Sequence, residues 1–232
     1  MARGWKRANL GARVLTAGVL MLVSACATAP RGESFNALVS EQQAQAQASR
    51  LEQRAARFRW DQQVRLEGVL TRLLLGVPRP SPAAIEVAVC DEVNAFVSDG
   101  RIKVCLGMLR FVQSDDELAV VLGHELGHLP TSTERGLLRG GQIDAEREAD
   151  IRGLFYAHHA GYDITKGARV FERMAIELSS GLREADSHPT HAERILLAER
   201  IAQLLDARGA ESNPEVTLKR LYQLMDSFDD LP

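Results

Sequence analysis

Ser114-Asp115-Asp116-Glu117-Leu118-Ala119-Val120-Val121-Leu122-Gly123-His124-Glu125-Leu126-Gly127-His128 is the stretch on which the reading of this chain turns. Its first four residues are a helix start: a Ser hydroxyl that can accept from the N–H three residues on, a Glu that can reach back, and acids set against the positive end of the helix dipole. The apolar run Leu118 to Leu122 follows and Pro130 closes the segment, so the pattern predicts a helix to about Leu129. Within it His124 and His128 are four apart and share a face, so both imidazoles can reach one ion. Glu125 is rotated to sit beside that ion, where it can take a proton from water and later return it. Chance His and Glu residues on solvated helices give the same pentapeptide, so a third ligand has to be found.

Glu146-Arg147-Glu148-Ala149-Asp150 supplies one, on a second predicted helix from Ile143 to His159 that stops at Gly161-Tyr162-Asp163. Glu146 and Asp150 are four apart and share a face, while Glu148 points elsewhere. Glu146 can ligate, and Asp150 can accept a hydrogen bond from a ligand imidazole and fix its tautomer. The competing reading is an exposed acidic helix face. Two His and one carboxylate point to one zinc ion per chain, held by His124, His128 and Glu146 with a fourth position open, although other divalent metals accept such ligands. Gly123 and Gly127 flank the histidines inside a helix, where each costs about 1 kcal/mol against Ala. Close approach of another backbone is the expected reason, with substrate contact the weaker alternative.

Upstream, residues 35 to 75 lack Pro and read as helix, with Leu66, Val69, Leu70, Leu73 and Leu74 at helical spacing for packing on the domain. The breaker Gly76-Val77-Pro78-Arg79-Pro80-Ser81-Pro82 ends it. Ile85 to Val89 and Ile102 to Leu106, the latter beyond a turn at Ser98-Asp99-Gly100, are expected to form two antiparallel strands. Further helices are expected over Thr165 to Leu178, about 191 to 207 and 214 to 226. Helices outweigh strands, and the fold class is α+β: mostly helical with a small antiparallel sheet.

The N-terminus carries Arg3, Lys6, Arg7 and Arg13, then an apolar run from Val14 to Val23 and the small residues Ser24-Ala25 before Cys26. That is a secretory signal, too short for a permanent span of about 20 residues. Leu22-Val23-Ser24-Ala25-Cys26 resembles the lipobox of bacterial lipoproteins, in which Cys26 is acylated. The alternative is an ordinary signal peptide with an incidental cysteine. The expected organisation is residues 1–25 as signal peptide, 26–34 as lipidated cysteine and linker, 35–75 as an N-terminal helical segment, and 76–232 as the metal-binding domain. The whole chain has 28 Lys+Arg and 31 Asp+Glu; loss of the signal leaves 24 against 31, about −7, which argues against nucleic acid as a partner. In an oxidising compartment Cys90 and Cys105 can bridge; the alternative is two buried thiols.

The His-Glu-x-x-His helix followed by Glu-x-x-x-Asp resembles the HtpX, BepA and LoiP group of gluzincins, bacterial relatives of the CAAX prenyl protease. Asn94-Ala95-Phe96, Gly100-Arg101-Ile102, Gly107-Met108-Leu109, Gly161-Tyr162-Asp163 and Ser187-His188-Pro189-Thr190 with Glu193-Arg194-Ile195 look like that group too. The resemblance covers roughly residues 85 to 205 and implies a zincin-like zinc endopeptidase with ligands His124, His128 and Glu146, base Glu125 and supporting carboxylate Asp150. It implies an active-site role for His188, either blocking the open metal position or stabilising an oxyanion with Arg194 nearby; capping the next helix is the ordinary alternative. Substrate would pair with an exposed strand edge, for which Ile102 to Leu106 is the expected strand. HtpX-like membrane spans and a BepA-like repeat array are absent, so the compact LoiP-like lipoproteins are the nearest likeness within the group. The resemblance implies an enzyme lipid-anchored on the periplasmic side of a Gram-negative outer membrane, cleaving extended or misfolded envelope proteins. The alternative is a lipoprotein chaperone or assembly factor using the same fold with gated or marginal peptidase activity.

Overall fold

The computed structural model describes residues 32–77, 83–129, 142–178, 190–207 and 214–226; the signal segment, Cys26 and His188 lie outside them. The chain divides into two compact units, Met1–Arg50 and Leu51–Pro232. In the first, the described residues are the start of helix α1 (Gly32–Leu74), and its Gln-Ala stretch from Glu41 to Ser49 is exposed. The second holds the rest of α1 and every later element.

From Leu51 onward α1 buries Leu66, Val69, Leu70 and Leu73, the stripe its spacing predicts, while Leu74 is only partly covered. Then come three strands, β1 (Ala84–Ala88), β2 (Ala95–Ser98) and β3 (Arg101–Cys105), in the spatial order β1-β3-β2. Asp99 and Gly100 both have positive φ, 54° and 72°, the backbone that a two-residue hairpin turn requires. That turn makes β2 the antiparallel partner of β3, with Ser98 opposite Arg101. β1 is left the other side of β3 and pairs there in parallel, Ala84 opposite Arg101 through Ala88 opposite Cys105. The expected antiparallel pairing of residues 85–89 with 102–106 is therefore corrected: the sheet is mixed, and Leu106 opens a short helix, α2 (Leu106–Phe111).

The crossover from β1 to β2 passes the end of β3, where several contacts fasten it. Cys90 is disulfide-bonded to Cys105, with Cα atoms 5.0 Å apart. The Gly107 N–H donates to the Cys90 carbonyl at 3.1 Å and the Cys105 N–H to that of Asn94 at 3.0 Å. A Cβ on Gly107 would lie 2.1 Å from the Asp91 carbonyl oxygen, so only glycine lets the crossover rest on α2.

Because β3 is central, its expected role as the free edge is also corrected. The outer edge of β1 is covered by Gln63 of α1, whose amide donates to the Ile85 carbonyl at 2.9 Å and accepts from the Val87 N–H at 3.0 Å, as a neighbouring strand would. On β2 the Ser98–Arg101 and Asn94–Cys105 bonds set the alternation, so the N–H and C=O of Ala95 and Val97 face away from β3. No described residue takes them.

The rest is helical: α3 (Asp115–His128), α4 (Gln142–His159), α5 (Ile164–Gly167), α6 (Arg169–Glu177), α7 (His191–Asp206) and α8 (Pro214–Asp226). The single helix expected over Thr165 to Leu178 is broken at Ala168. Asp163 caps a short turn by accepting from the Lys166 N–H at 3.0 Å, and Gly167 seats so close to α3 that a Cβ would lie 2.6 Å from the Asp116 carbonyl oxygen. α3 is the axis of the core, buried all round from Glu117 to Gly127, with Leu118 and Leu122 fully enclosed. Phe155 and Tyr156 of α4, Ile102 and Val104 of β3, Val170 of α6 and Ile201 of α7 complete that core. No described helix is long and apolar enough to cross a membrane.

Candidate metal centre

Burying a polar side chain costs several kcal/mol unless it is hydrogen-bonded or ligated, of order 1–3 by mutational measures. α3 nonetheless buries His124 and Glu125 in its last turns. Its N-terminus is firmly set: Ser114 Oγ accepts from the Glu117 N–H at 3.2 Å. The Glu117 carboxylate, clamped by Arg173, accepts from the Gln113 N–H at 2.6 Å, one residue further back than an ordinary capping box.

At the other end three ligand atoms converge. His124 Nε2 lies 3.1 Å from His128 Nε2, and Glu146 Oε2 lies 3.3 Å from the first and 3.4 Å from the second. A tetrahedral zinc with bonds of about 2.0–2.1 Å would space its ligands about 3.3 Å apart, so the triangle has the size such an ion needs. His124, His128 and Glu146 are also the one His/Cys/Asp/Glu group among the described residues able to hold a metal. His128, with 28% of its side chain exposed against 8% for His124, marks the side open to solvent.

The glycines explain how α4 comes close enough to deliver Glu146. A Cβ on Gly123 would lie 2.6 Å from the Gly153 carbonyl oxygen, and one on Gly127 2.5 Å from that of Ala149. The two helices thus cross backbone to backbone at Gly123/Gly153 and Gly127/Ala149. Sequence reading found the first partner of each pair and missed Gly153. Two small residues four apart in each helix, Gly123 with Gly127 and Ala149 with Gly153, were the available signal.

Asp150 sits behind the first ligand. Its Oδ1 accepts from His124 Nδ1 at 2.8 Å, which leaves Nε2 with the lone pair that faces the cluster. The same oxygen accepts from Arg194 Nη2 at 2.5 Å and Nε at 3.1 Å. Arg194 lies over the Phe171 ring, 3.9 Å from its centroid, and is carried by α7, whose start is fixed by a reciprocal capping box between Thr190 and Glu193. Burial works to raise the Asp150 carboxyl, but Arg194 and His124 outweigh it and hold it below its ordinary value. For His124 burial opposes the charged ring, yet Asp150 and Glu146 prevail and raise it.

Glu125 completes the group. No described residue hydrogen-bonds its carboxylate, and burial, reinforced by the Glu146 and Asp150 charges against His124 and Arg194, pushes it up to about 7. A carboxyl poised there can exchange a proton at neutral pH. The structure thus brings together His124, Glu125, His128, Glu146, Asp150 and Arg194; His158 and His159, at the far end of α4, stay out of the cluster.

Residues 61–134 match the model of Peptidase family M48. The match ends before Glu146, Asp150 and Arg194, so the third ligand and its supports rest on sequence spacing and the fold and not on the match. None of the curated proteins matches the chain. The match and the His124-His128-Glu146 cluster together support a metal-dependent peptidase.

Proposed function

We propose that this chain is a zinc-dependent endopeptidase of the bacterial envelope that cuts extended segments of misfolded or stalled proteins. The convergence of His124 Nε2, His128 Nε2 and Glu146 Oε2 within 3.4 Å of one another, with Glu125 beside them, carries this reading. A zinc held there by His124, His128 and Glu146 supplies Lewis acidity toward a peptide carbonyl and toward water. Glu125 removes a proton from the attacking water and returns it to the departing amine. No described residue hydrogen-bonds its carboxylate, which leaves it available for both halves of that task. Asp150, fixed by Arg194, keeps the His124 ring in the tautomer that points its lone pair inward.

Substrate capture is assigned to β2. Its Ala95 and Val97 offer unpaired main-chain groups next to α3, whereas Gln63 closes the edge of β1. Main-chain pairing reads backbone more than side chains, which suits unfolded polypeptide. The leader supports the location: acylation of Cys26 would tether the enzyme to the periplasmic side of a Gram-negative outer membrane. The test is incubation of the full chain with unfolded casein and mass analysis of the products. Internal cuts that stop on chelation and return with zinc are expected; intact casein under all conditions would contradict the reading and favour a chaperone.

A further inference from the structure

On the face of α4 turned away from Asp150, a second set of polar side chains is buried. Arg152 is 6% exposed and Glu148 4%. Arg152 donates from Nη1 to the Gly127 carbonyl at 3.0 Å and from Nε to the Tyr222 hydroxyl at 3.1 Å, and its Nη2 pairs with Glu148. The Tyr222 hydroxyl reaches Glu148 Oε1 at 3.4 Å. Tyr222 belongs to α8, seventy residues further along the chain.

The Gly127 carbonyl is in the last turn of α3, where the helix itself provides no N–H four residues on. It is also the carbonyl of the peptide that leads into His128. A guanidinium there satisfies the carbonyl and meets the negative end of the helix dipole. Because Arg152 and Glu146 are on one helix, the contact fixes the end of α3 that carries one ligand against the helix that carries another. A buried Arg–Glu pair is a poor way to gain stability, since well-packed apolar residues do as well or better. What such a network supplies is position, and only the planar fork of Arg can reach three partners at once.

We propose that Arg152 is a positioning residue for the metal site, holding the Gly127–His128 peptide against α4, and that Tyr222 and Glu148 orient it, so that the C-terminal helix sets how tightly the metal is held. This role rests on the reading of His124, His128 and Glu146 as a metal centre. The test is zinc affinity of the full chain by competition with a chromophoric chelator, together with the melting temperature of the metal-free protein. It compares wild type, Tyr222→Phe, Arg152→Lys, Arg152→Gln, His128→Ala and the core variant Val170→Ala. Tyr222→Phe, which removes one hydroxyl, should weaken zinc several-fold with little change in metal-free melting. Arg152→Gln should weaken it about 10- to 100-fold, as outer partners of metal ligands do, with Arg152→Lys restoring only part. Val170→Ala should lower melting without lowering affinity. Unchanged affinity in Tyr222→Phe and both Arg152 variants, with His128→Ala still abolishing binding, would overturn the positioning role alone. Equal affinity in wild type and His128→Ala would overturn the metal-centre reading beneath it.

Discussion

Gly153→Ala tests how the metal site is assembled. The new Cβ would lie 2.4 Å from the Gly123 carbonyl carbon and 2.5 Å from the His124 N. Carbon atoms rest about 3.5–4.0 Å apart, so α4 has to back away from α3 by about 1 Å. Both contacts are backbone atoms of a buried helix, with no flexible side-chain tip to yield. Overpacking of this kind costs about 1–3 kcal/mol and Ala returns about 1 kcal/mol of helix propensity, for a net loss of about 1 kcal/mol. The larger effect falls on the ion: metal–ligand bonds tolerate about 0.2 Å, so moving Glu146 by five times that should weaken zinc on the order of 100-fold. Gly68→Ala is the control, an exposed position on α1 with nothing within 4 Å of the added carbon, where a gain of about 1 kcal/mol is expected. Urea unfolding and chelator competition on both variants give the answer. A Gly153→Ala protein as stable as wild type, with undiminished zinc affinity, would refute the idea that close backbone approach builds the site.

Asp150→Asn should weaken zinc binding about 10- to 100-fold in the same competition assay, because the substitution removes the charge that both His124 and Arg194 bond to. Gln63→Leu strips the cover from Ile85 and Val87 on β1; a loss of about 1–2 kcal/mol in urea unfolding and self-association in sedimentation are expected. Burial alone would raise the Glu117 carboxyl, but the Arg173 guanidinium and the Gln113 N–H hold it below its usual value. Its folded value is thus below the unfolded one of about 4.3, so the pair adds stability above that pH and loses it as pH falls through the folded value. Arg173→Met should therefore cost about 3 kcal/mol at pH 7 and clearly less at pH 3, measured by unfolding at each.

Local spacing made the metal ligands legible. The four-residue interval of His124 and His128 is a property of one helix, as is that of Glu146 and Asp150, so each pair could be placed on a face before any tertiary structure was known. The helix stripe of Leu66 to Leu73 was readable for the same reason. Strand pairing was not, since alternation in Ile85 to Val89 says which side faces the core but not which neighbour it meets. The Asp99-Gly100 turn did contain the correction, because a two-residue turn obliges Ala95 to Ser98 to be a strand. Arg152, Glu148 and Tyr222 were out of reach. Arg152 and Glu148 look like any solvated charges at four-residue spacing until Tyr222, from a helix seventy residues on, closes over them.

The most direct test of the central claim is the zinc content and casein-cleaving activity of the full chain beside its Glu125→Gln variant. The account predicts about one zinc per chain in both proteins, because Glu125 is not a ligand, and cleavage only by wild type. Zinc in both with equal cleavage would remove Glu125 from the chemistry, and wild-type protein that takes up no zinc would contradict the metal centre itself.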